Sequence, residues 1–314
     1  MDKTAWIFPG QGAQFVGMGQ ELCRAFPAAA SVFETADRVL GNRFSSLVFE
    51  GPESELTLTK NAQPAILAVG VACARVLNEK GLRPDMAAGL SLGEYTALVV
   101  AGSLSLEDAL VITRKRGLHM QEACPEGLGA MAAVIGLSPA EVESLCYDAR
   151  NLGVVTGANY NCPGQIVISG HKKAVEKVCA SAMERGAKCV PLTVSAPFHS
   201  PLMEEAAERL KRDLDKIEIR MPGIPVYANV DGAPLKSPEH IRESLIKQVT
   251  HPVLWQVSVE SMLRDGAGRF IELGPGKTLT GFLKRIAPQI PARSFLTPKD
   301  LDSTIDLSKG ASLL

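Results

Sequence analysis

The segment with the clearest capacity for chemistry is Gly89-Leu90-Ser91-Leu92-Gly93, which has the pattern G-x-S-x-G. A serine placed in this way is typical of a nucleophile elbow, in which the hydroxyl stands exposed at the top of an α/β sheet. The same serine would also suit a helix N-cap, where its hydroxyl accepts a hydrogen bond from a first-turn N–H. The pattern is short enough to occur by chance, so both interpretations stay open on the motif alone.

The residues around this motif favour the elbow. Residues 86–90 form a short apolar run typical of a buried strand, and residues 94–101 have the composition of a helix packed against it. Gly89 and Gly93 would allow the strand and the helix to pass closely at the turn. The helix N-terminus behind Ser91 would also offer free N–H groups where negative charge develops. We therefore expect an activated serine at this position.

An activated serine needs a base, and the chain has five histidines. They are His119, His171, His199, His240 and His251. Only His199 lies in an irregular segment between a predicted strand and a predicted helix, at residues 194–201. Loops at clefts between subdomains are favoured positions for catalytic groups. His199 is therefore the candidate base, while the other four have adequate structural or surface explanations.

Two glycine-rich stretches resemble nucleotide-binding loops. Residues 274–278, GPGKT, look like the end of a phosphate-binding loop, but Ile271 stands where that motif requires glycine. Residues 9–14, PGQGAQ, follow the first predicted strand, but Phe15 replaces the last glycine of a dinucleotide fingerprint. We expect a tight turn at residues 9–12, or a loop whose backbone N–H groups form half of an oxyanion hole.

A basic run, Arg114-Lys115-Arg116, lies on the long predicted helix at residues 106–122. Such a run usually forms a solvated face. If one of the arginines turned inward, its guanidinium would hold a carboxylate through two parallel hydrogen bonds. The sequence leaves this choice open.

Charge and cysteine content restrict the class of protein. The 314 residues include 33 basic and 34 acidic side chains, which argues against nucleic acid or an anionic membrane as the main partner. No apolar run reaches the roughly 20 residues of a membrane span, and the first residues show no secretory pattern. The seven cysteines include no C-x-x-C pair, so we expect reduced thiols without a metal site in a cytoplasmic protein.

The order of predicted elements indicates an α/β fold. Strands and helices alternate in the first part of the chain, which predicts a mostly parallel, hydrolase-like sheet flanked by helices. A β-α-β-β-α-β order then follows, which is the ferredoxin-like arrangement. We expect a large subdomain at residues 1–126 and 196–314, a small inserted one at residues 127–195, and a loosely held tail at 298–314. The expected strands are 4–8, 86–90, 129–135, 153–159, 165–169 and 188–194, and the expected helices 63–79, 94–101, 106–122, 139–149, 172–185 and 203–214.

Seven segments in one order resemble the malonyl-CoA:acyl carrier protein transacylase family of bacterial type II fatty acid synthesis. They are FPGQGAQ at 8–14, GLSLGEY at 89–95, RG at 116–117 with the following MQEA, NYNCPGQIVISG at 159–170, APFHS at 196–200, QVTHPVLW at 248–255 and ELGPGKTLTGFLKRI at 272–286. The resemblance implies that Ser91 is the nucleophile and His199 its base. It further implies that the backbone carbonyl of Gln248 orients the imidazole, and that the N–H groups of Gln11 and Leu92 form the oxyanion hole.

The resemblance also implies how the acyl group is chosen. Arg116 would hold the malonyl carboxylate, and a neutral acyl group would leave that guanidinium unpaired. Phe198 is similar to the residue that malonyl-selective members carry before the catalytic histidine. Many members have His before the nucleophile where this chain has Leu90, so we expect no imidazole role there.

The implied reaction is ping-pong, with no metal or bound cofactor. Malonyl-CoA would acylate Ser91, and the phosphopantetheine thiol of an acidic acyl carrier protein would then accept the malonyl group. A basic patch near the cleft would dock that carrier, with Lys284 and Arg285 as candidates beside the neighbours of Arg116. A serine hydrolase of acyl thioesters, a trans-acting malonyltransferase of a polyketide synthase, and a non-catalytic scaffold remain as alternatives.

Overall fold

The computed structural model describes residues 2–41, 43–125, 127–194 and 196–309. Its central feature is a five-stranded sheet with the order β7-β2-β1-β8-β9, in which every paired neighbour is parallel. The strands are β1 (Lys3–Phe8), β2 (Met86–Gly89), β7 (Val226–Tyr227), β8 (Ala267–Leu273) and β9 (Ala292–Phe295). The parallel sheet expected from the sequence is confirmed.

Both faces of this sheet are buried, as parallel sheets require. Along β1, the side chains of Trp6 and Phe8 pack into one apolar layer, while those of Ala5 and Ile7 pack into the other. The alternation follows from the two-residue period of a strand. Helices supply the two covering layers, and among the described residues none combines the length and apolarity that a membrane span requires.

The helices are named here in chain order. They are α1 (Gln20–Ala25), α2 (Pro27–Leu40), α3 (Phe44–Glu50), α4 (Glu53–Leu56), α5 (Thr59–Glu79), α6 (Leu92–Val100), α7 (Leu106–Glu122), α8 (Pro139–Asp148), α9 (Lys172–Glu184), α10 (Glu204–Leu214), α11 (Pro238–Gln248), α12 (Trp255–Arg264), α13 (Thr278–Ile286) and α14 (Leu301–Ser308). Helix α5 is buried over most of its length and packs against α2, α6 and α7.

A second, antiparallel sheet lies between α7 and α10 in the chain. Its strands are β3 (Gly129–Ile135), β4 (Val155–Cys162), β5 (Gln165–His171) and β6 (Lys188–Pro191), in the order β4-β5-β3-β6. With α8 and α9 packed on one face, this is the expected ferredoxin-like arrangement. The edge strand β4 is tied to the rest of the molecule, since Tyr160 N donates to Val253 O at 2.9 Å and Val253 N donates to Ala158 O at 2.8 Å.

The helix expected at residues 63–79 begins earlier, at Thr59. Three further expectations were also wrong in their details. Strand β4 runs on to Cys162, so only Pro163 and Gly164 connect it to β5. Gly164 permits this tight hairpin, since it adopts a positive φ of 69°. Strand β6 ends at Pro191 rather than at residue 194. The supposed tail is ordered through α14, where Thr304 and Leu307 are buried; residues 310–314 lie outside the described residues.

The subdomain boundaries stay a prediction. Two of the residues expected to delimit the small subdomain, Glu126 and Ser195, lie outside the described residues. The described strands of the second sheet all fall between 129 and 191, inside the predicted range of 127–195.

Candidate active site

Ser91 lies at the sharp turn between β2 and α6. Its φ and ψ of 52° and −103° place it outside the regions that ordinary residues favour. A Cβ on Gly93 would lie 2.1 Å from the carbonyl oxygen of Phe8, and one on Gly89 would lie 1.9 Å from the carbonyl carbon of Gly93. The turn therefore requires glycine on both sides of the serine. Ser91 occupies the N-cap position of α6, but its hydroxyl makes no capping hydrogen bond.

The hydroxyl is instead directed at His199. Ser91 Oγ lies 2.8 Å from His199 Nε2, and His199 Nδ1 lies 2.7 Å from the carbonyl oxygen of Gln248. A carbonyl oxygen can only accept, so Nδ1 carries the proton and Nε2 is free to accept from the serine. Burial, with the nearby charge of Arg116, lowers the pKa of His199 to about 4. The imidazole is thus neutral and oriented to take the hydroxyl proton.

Arg116 turns into the same site. Its side chain is 1% exposed, and its Nη2 donates to Ser91 Oγ at 3.0 Å and to Gln248 Oε1 at 2.9 Å. Nη1 donates to Gln63 Oε1 at 2.8 Å, and the guanidinium lies over the ring of Tyr95. Within the described residues, Arg116 has no carboxylate at ion-pair distance and its buried Nε has no acceptor. This guanidinium is therefore suited to an anionic group brought in from outside.

The other two residues of the basic run point elsewhere. Arg114 donates to the carbonyl oxygen of Leu40, and Lys115 forms an ion pair with Asp213. The structure thus divides the run into one buried arginine and two residues engaged outside the site.

The loop after β1 lies against the elbow. A Cβ on Gly10 would lie 2.6 Å from the carbonyl oxygen of Leu90, so the loop backbone is pressed onto the turn that carries Ser91. Beside it, the Gln11 side chain donates to Thr59 Oγ1 at 3.1 Å. Among the described residues, nothing accepts a hydrogen bond from the backbone N–H of Gln11 or of Leu92. Both donors therefore remain available to a ligand next to Ser91.

Sequence reasoning missed Asn229 and Glu94, which hold the backbone of the elbow and the side chain of Gln248 through hydrogen bonds. Asn229 Oδ1 accepts from Ser91 N at 2.6 Å, and Asn229 Nδ2 donates to the carbonyl oxygen of Gly89 at 2.7 Å. Gln248 Nε2 donates to Glu94 Oε2 at 2.9 Å and to Ser91 O at 3.1 Å. Asn229 carries no local signal, whereas Glu94 stands inside the quoted segment GLSLGEY.

The remaining candidates have structural roles. Glu272 is buried and accepts from Leu279 N and Thr280 N, so a carboxylate of this chain already fills the helix end beside GPGKT. The carboxylate thus takes N–H groups at the helix N-terminus that a phosphate would need. The other histidines bond within the fold: His119 to Asp213, His171 to Val154 N, His240 to Lys236 N and His251 to the carbonyl oxygen of Lys247.

Ser91 opens onto a cleft of about 630 Å³ between the two sheets. Leu90, Arg116 and Phe282 line it from elements around the parallel sheet, and Met131 and Val167 line it from the antiparallel sheet. Phe198 and His199 line the cleft where the chain returns from the small sheet. A cleft of this size, lined by apolar and a few polar side chains, has the character of a small-molecule binding site.

Comparison with known proteins agrees with this geometry. The profile of the acyl transferase domain family matches residues 5–292. The malonyl CoA-acyl carrier protein transacylase of Bacillus subtilis is 45% identical over 98% of each chain, and that of Escherichia coli K12 is 43% identical over 98% of this chain and 100% of the relative. The chain belongs to the malonyl CoA-acyl carrier protein transacylase family.

Solved transacylases and malonyltransferases share the fold. The acyl-carrier-protein S-malonyltransferase of Bartonella henselae superposes with a TM-score of 0.95 at 43% identity, over 98% of this chain and 99% of the other. A malonyl-transacylase solved with its type II PKS acyl-carrier protein gives 0.95 at 42% identity, over 97% and 99%. The family resemblance, the hydrolase-like fold and the acyltransferase class expected from the sequence are all confirmed.

Proposed function

We propose that this protein transfers the malonyl group from malonyl-CoA to the phosphopantetheine thiol of an acyl carrier protein, through a malonyl ester on Ser91. The observation that carries the proposal is the shared position of the Ser91 hydroxyl, which lies 2.8 Å from His199 Nε2 and 3.0 Å from Arg116 Nη2. One side of the hydroxyl faces a base and the other a cation. This arrangement suits a nucleophile whose substrate carries a carboxylate.

In the first half-reaction, Ser91 Oγ attacks the thioester carbon while its proton passes to His199 Nε2. The developing oxyanion is stabilised by the backbone N–H groups of Gln11 and Leu92. The imidazolium keeps its Nδ1–H bond to the carbonyl oxygen of Gln248, 2.7 Å away. As the tetrahedral intermediate collapses, the C–S bond breaks and the imidazolium protonates the CoA sulfur. Malonyl-Ser91 and free CoA result.

Arg116 selects the acyl group. The malonyl carboxylate takes the place on the guanidinium that Gln63 Oε1 and Ser91 Oγ occupy in the free enzyme, and a bidentate pair replaces two neutral acceptors. An acetyl group offers no such acceptor, so the desolvated cation gains nothing when acetyl binds.

In the second half-reaction, the carrier's phosphopantetheine thiol attacks the ester carbon of malonyl-Ser91 while His199 removes the thiol proton. The bond from that carbon to Ser91 Oγ then breaks, the imidazolium returns the proton to Oγ, and the malonyl group leaves as a thioester on the carrier. The carrier docks at α13, whose residues Leu279 and Phe282 line the cleft. Lys284 and Arg285 lie on this helix and offer positive charge to an acidic partner. Arg285 is already engaged with the carbonyl oxygen of Pro163 and with Gln165, so Lys284 is the freer contact.

Intact mass after brief mixing with malonyl-CoA tests the proposal. The wild type is expected to gain one malonyl adduct, to gain none from acetyl-CoA, and to lose the adduct when a phosphopantetheinylated carrier protein is added. Ser91→Ala is the matched control and should gain none. Free malonate released without a carrier would instead identify a serine hydrolase, and no adduct with no turnover would identify a non-catalytic scaffold.

Whether the acceptor is a fatty acid carrier or a polyketide carrier is a separate question. The likeness to a malonyl-transacylase solved with a type II PKS acyl-carrier protein favours a polyketide carrier as a second candidate acceptor. Comparing malonyl transfer to a fatty acid carrier and to a polyketide carrier, at equal concentrations, decides between them. We further propose a cytoplasmic location, because all seven cysteines are free thiols.

A further inference from the structure

Glu94 is a buried carboxyl group beneath the elbow, with no part yet assigned in the reaction. Its side chain is 0% exposed. Oε2 accepts from the backbone N–H of Asn229 and from Nε2 of Gln248, both at 2.9 Å, and Oε1 is buried with no partner among the described residues. A buried carboxyl group is costly unless its contacts compensate. Its two partners come from distant parts of the chain, so a role limited to stabilising the first turn of α6 does not account for them.

Both partners of Glu94 hold catalytic groups directly. Asn229 bonds to each side of the elbow, through Ser91 N and the carbonyl oxygen of Gly89. Gln248 accepts from His199 Nδ1 with its backbone carbonyl and from Arg116 Nη2 with its side-chain oxygen. Ser91, His199 and Arg116 are therefore each linked to Glu94 through one intervening residue, Asn229 or Gln248.

The amide of Gln248 has only one orientation that satisfies its surroundings. Its Nε2 faces the acceptor Glu94, and its Oε1 faces the donor Arg116. A flipped amide would place NH₂ against a guanidinium and oxygen against a carboxyl group, with unpaired donors on one side and unpaired acceptors on the other. Glu94 thus fixes the acceptor that holds the Arg116 guanidinium beside Ser91.

We propose that Glu94 is a positioning residue for acyl transfer, which acts through Asn229 and Gln248 to keep Ser91, His199 and Arg116 in mutual register. The proposal rests on the proposed transfer of a malonyl group. It implies that loss of the acceptor at residue 94 impairs both the acylation rate and the discrimination between malonyl and acetyl. A residue with only a structural role would lower stability and leave that discrimination unchanged.

The test compares Glu94→Ala, Glu94→Gln and Glu94→Asp. Acylation of Ser91 by malonyl-CoA and by acetyl-CoA is followed by rapid quench and intact mass, beside thermal unfolding of each variant. We expect Glu94→Ala to slow malonyl acylation on the order of 100-fold, since small misplacements of reacting groups have effects of that size. We also expect it to lower the malonyl-to-acetyl ratio about tenfold, through the loosened guanidinium.

The two conservative variants separate the presence of an acceptor oxygen from its position. Glu94→Gln keeps an oxygen for both donors and is expected to stay within about fivefold of the wild type. Glu94→Asp keeps the carboxyl group but draws its oxygens back by one methylene, and is expected to lose more than about tenfold. These two variants also decide the question if Glu94→Ala does not fold.

Thr96→Ala is the matched control on the same helix. Thr96 is also buried, and its Oγ1 has no partner among the described residues. The variant also removes the buried Cγ2 methyl group, so it should unfold at a lower temperature, and it should keep the malonyl-to-acetyl ratio. The inference is overturned if folded Glu94→Ala keeps both rate and ratio, or if Glu94→Gln loses as much as Glu94→Ala. A wild type that forms no malonyl adduct would instead overturn the proposed function.

Discussion

Replacing Arg116 with alanine tests how the site chooses its acyl group. The substitution removes a buried guanidinium whose partners are Ser91 Oγ at 3.0 Å, Gln248 Oε1 at 2.9 Å and Gln63 Oε1 at 2.8 Å. A malonyl ester on Ser91 would bring its carboxylate next to that cation. An acetyl ester would bring only a methyl group. The two substrates therefore respond differently to the loss of one charge.

The size of the effect follows from the site. Two unit charges about 4 Å apart attract by about 4 kcal/mol at an effective dielectric constant of about 20. Since each 1.4 kcal/mol is a factor of ten, malonyl acylation is expected to fall on the order of 10³-fold. The lost hydrogen bond to Ser91 costs both substrates alike, about 1 kcal/mol. The malonyl-to-acetyl ratio is therefore expected to fall by a factor of roughly 10²–10³.

The measurement is the rate of Ser91 acylation by each acyl-CoA, followed by rapid quench and intact mass. Arg114→Ala is the matched control, because it removes a positive charge two residues earlier whose guanidinium bonds to the carbonyl oxygen of Leu40. It should leave the ratio unchanged. If Arg116→Ala slows acetyl and malonyl acylation equally, the guanidinium acts by positioning Ser91 and does not bind the carboxylate.

Three further predictions concern protonation, the elbow and the last helix. Burial lowers the pKa of His199 to about 4 but raises that of Glu94 to about 7, so the profile is read in Glu94→Gln, where residue 94 does not titrate. There the acylation rate, followed by stopped flow, should be flat from about pH 8 to 5.5 and fall only as pH drops through about 4; an inflection near the ordinary 6.5 would contradict a buried base. Gly93→Ala would set a methyl group 2.1 Å from Phe8 O and should cost roughly 3 kcal/mol in urea unfolding, whereas Gly281→Ala, with nothing within 4 Å, should cost none. Leu307→Ala should cost roughly 2–3 kcal/mol by thermal unfolding, and a loss under about 0.5 kcal/mol would show that α14 is not docked.

The local sequence pattern was sufficient to predict the structure where neighbouring residues determine it. The run Met86–Gly89 and the glycines around Ser91 identify a strand, a turn and a helix before any contact is known. The β4–β5 hairpin was placed wrongly because Asn161 and Cys162 resemble loop residues. Both are buried strand residues next to a two-residue turn. Burial, which the local composition does not show, overrode the low strand propensity of Asn161.

The inward orientation of Arg116 is indicated by the helical period of α7. The buried residues of α7 include Ala109, Thr113, Arg116 and Met120, which recur at spacings of three and four. Arg116 lies on that stripe, and Arg114 lies off it. The helical period thus separates the two arginines, although only the fold shows that the stripe ends at the hydroxyl of Ser91.

The buried polar residues that support the site could not be predicted from local sequence. Gln63, Glu94 and Asn229 are polar side chains in helices or loops, and each of these residue types is ordinarily exposed. Three of the hydrogen bonds that fix their positions join residues 53, 135 and 154 apart along the chain. A buried hydrogen-bond network is specified by three-dimensional complementarity, so it becomes visible only when the elements are assembled.

Ser91 and His199 both have strained backbone conformations. Within the described residues, Ser91 and His199 are the two non-glycine residues with positive φ, at 52° and 56°. Such conformations cost of order 1–3 kcal/mol each and persist only where the surroundings enforce them. Here Gln248 contacts both residues, through its amide to Ser91 O and through its carbonyl to His199 Nδ1. Side-chain chemistry, rather than backbone preference, therefore accounts for serine and histidine at two positions where glycine would fit with less strain.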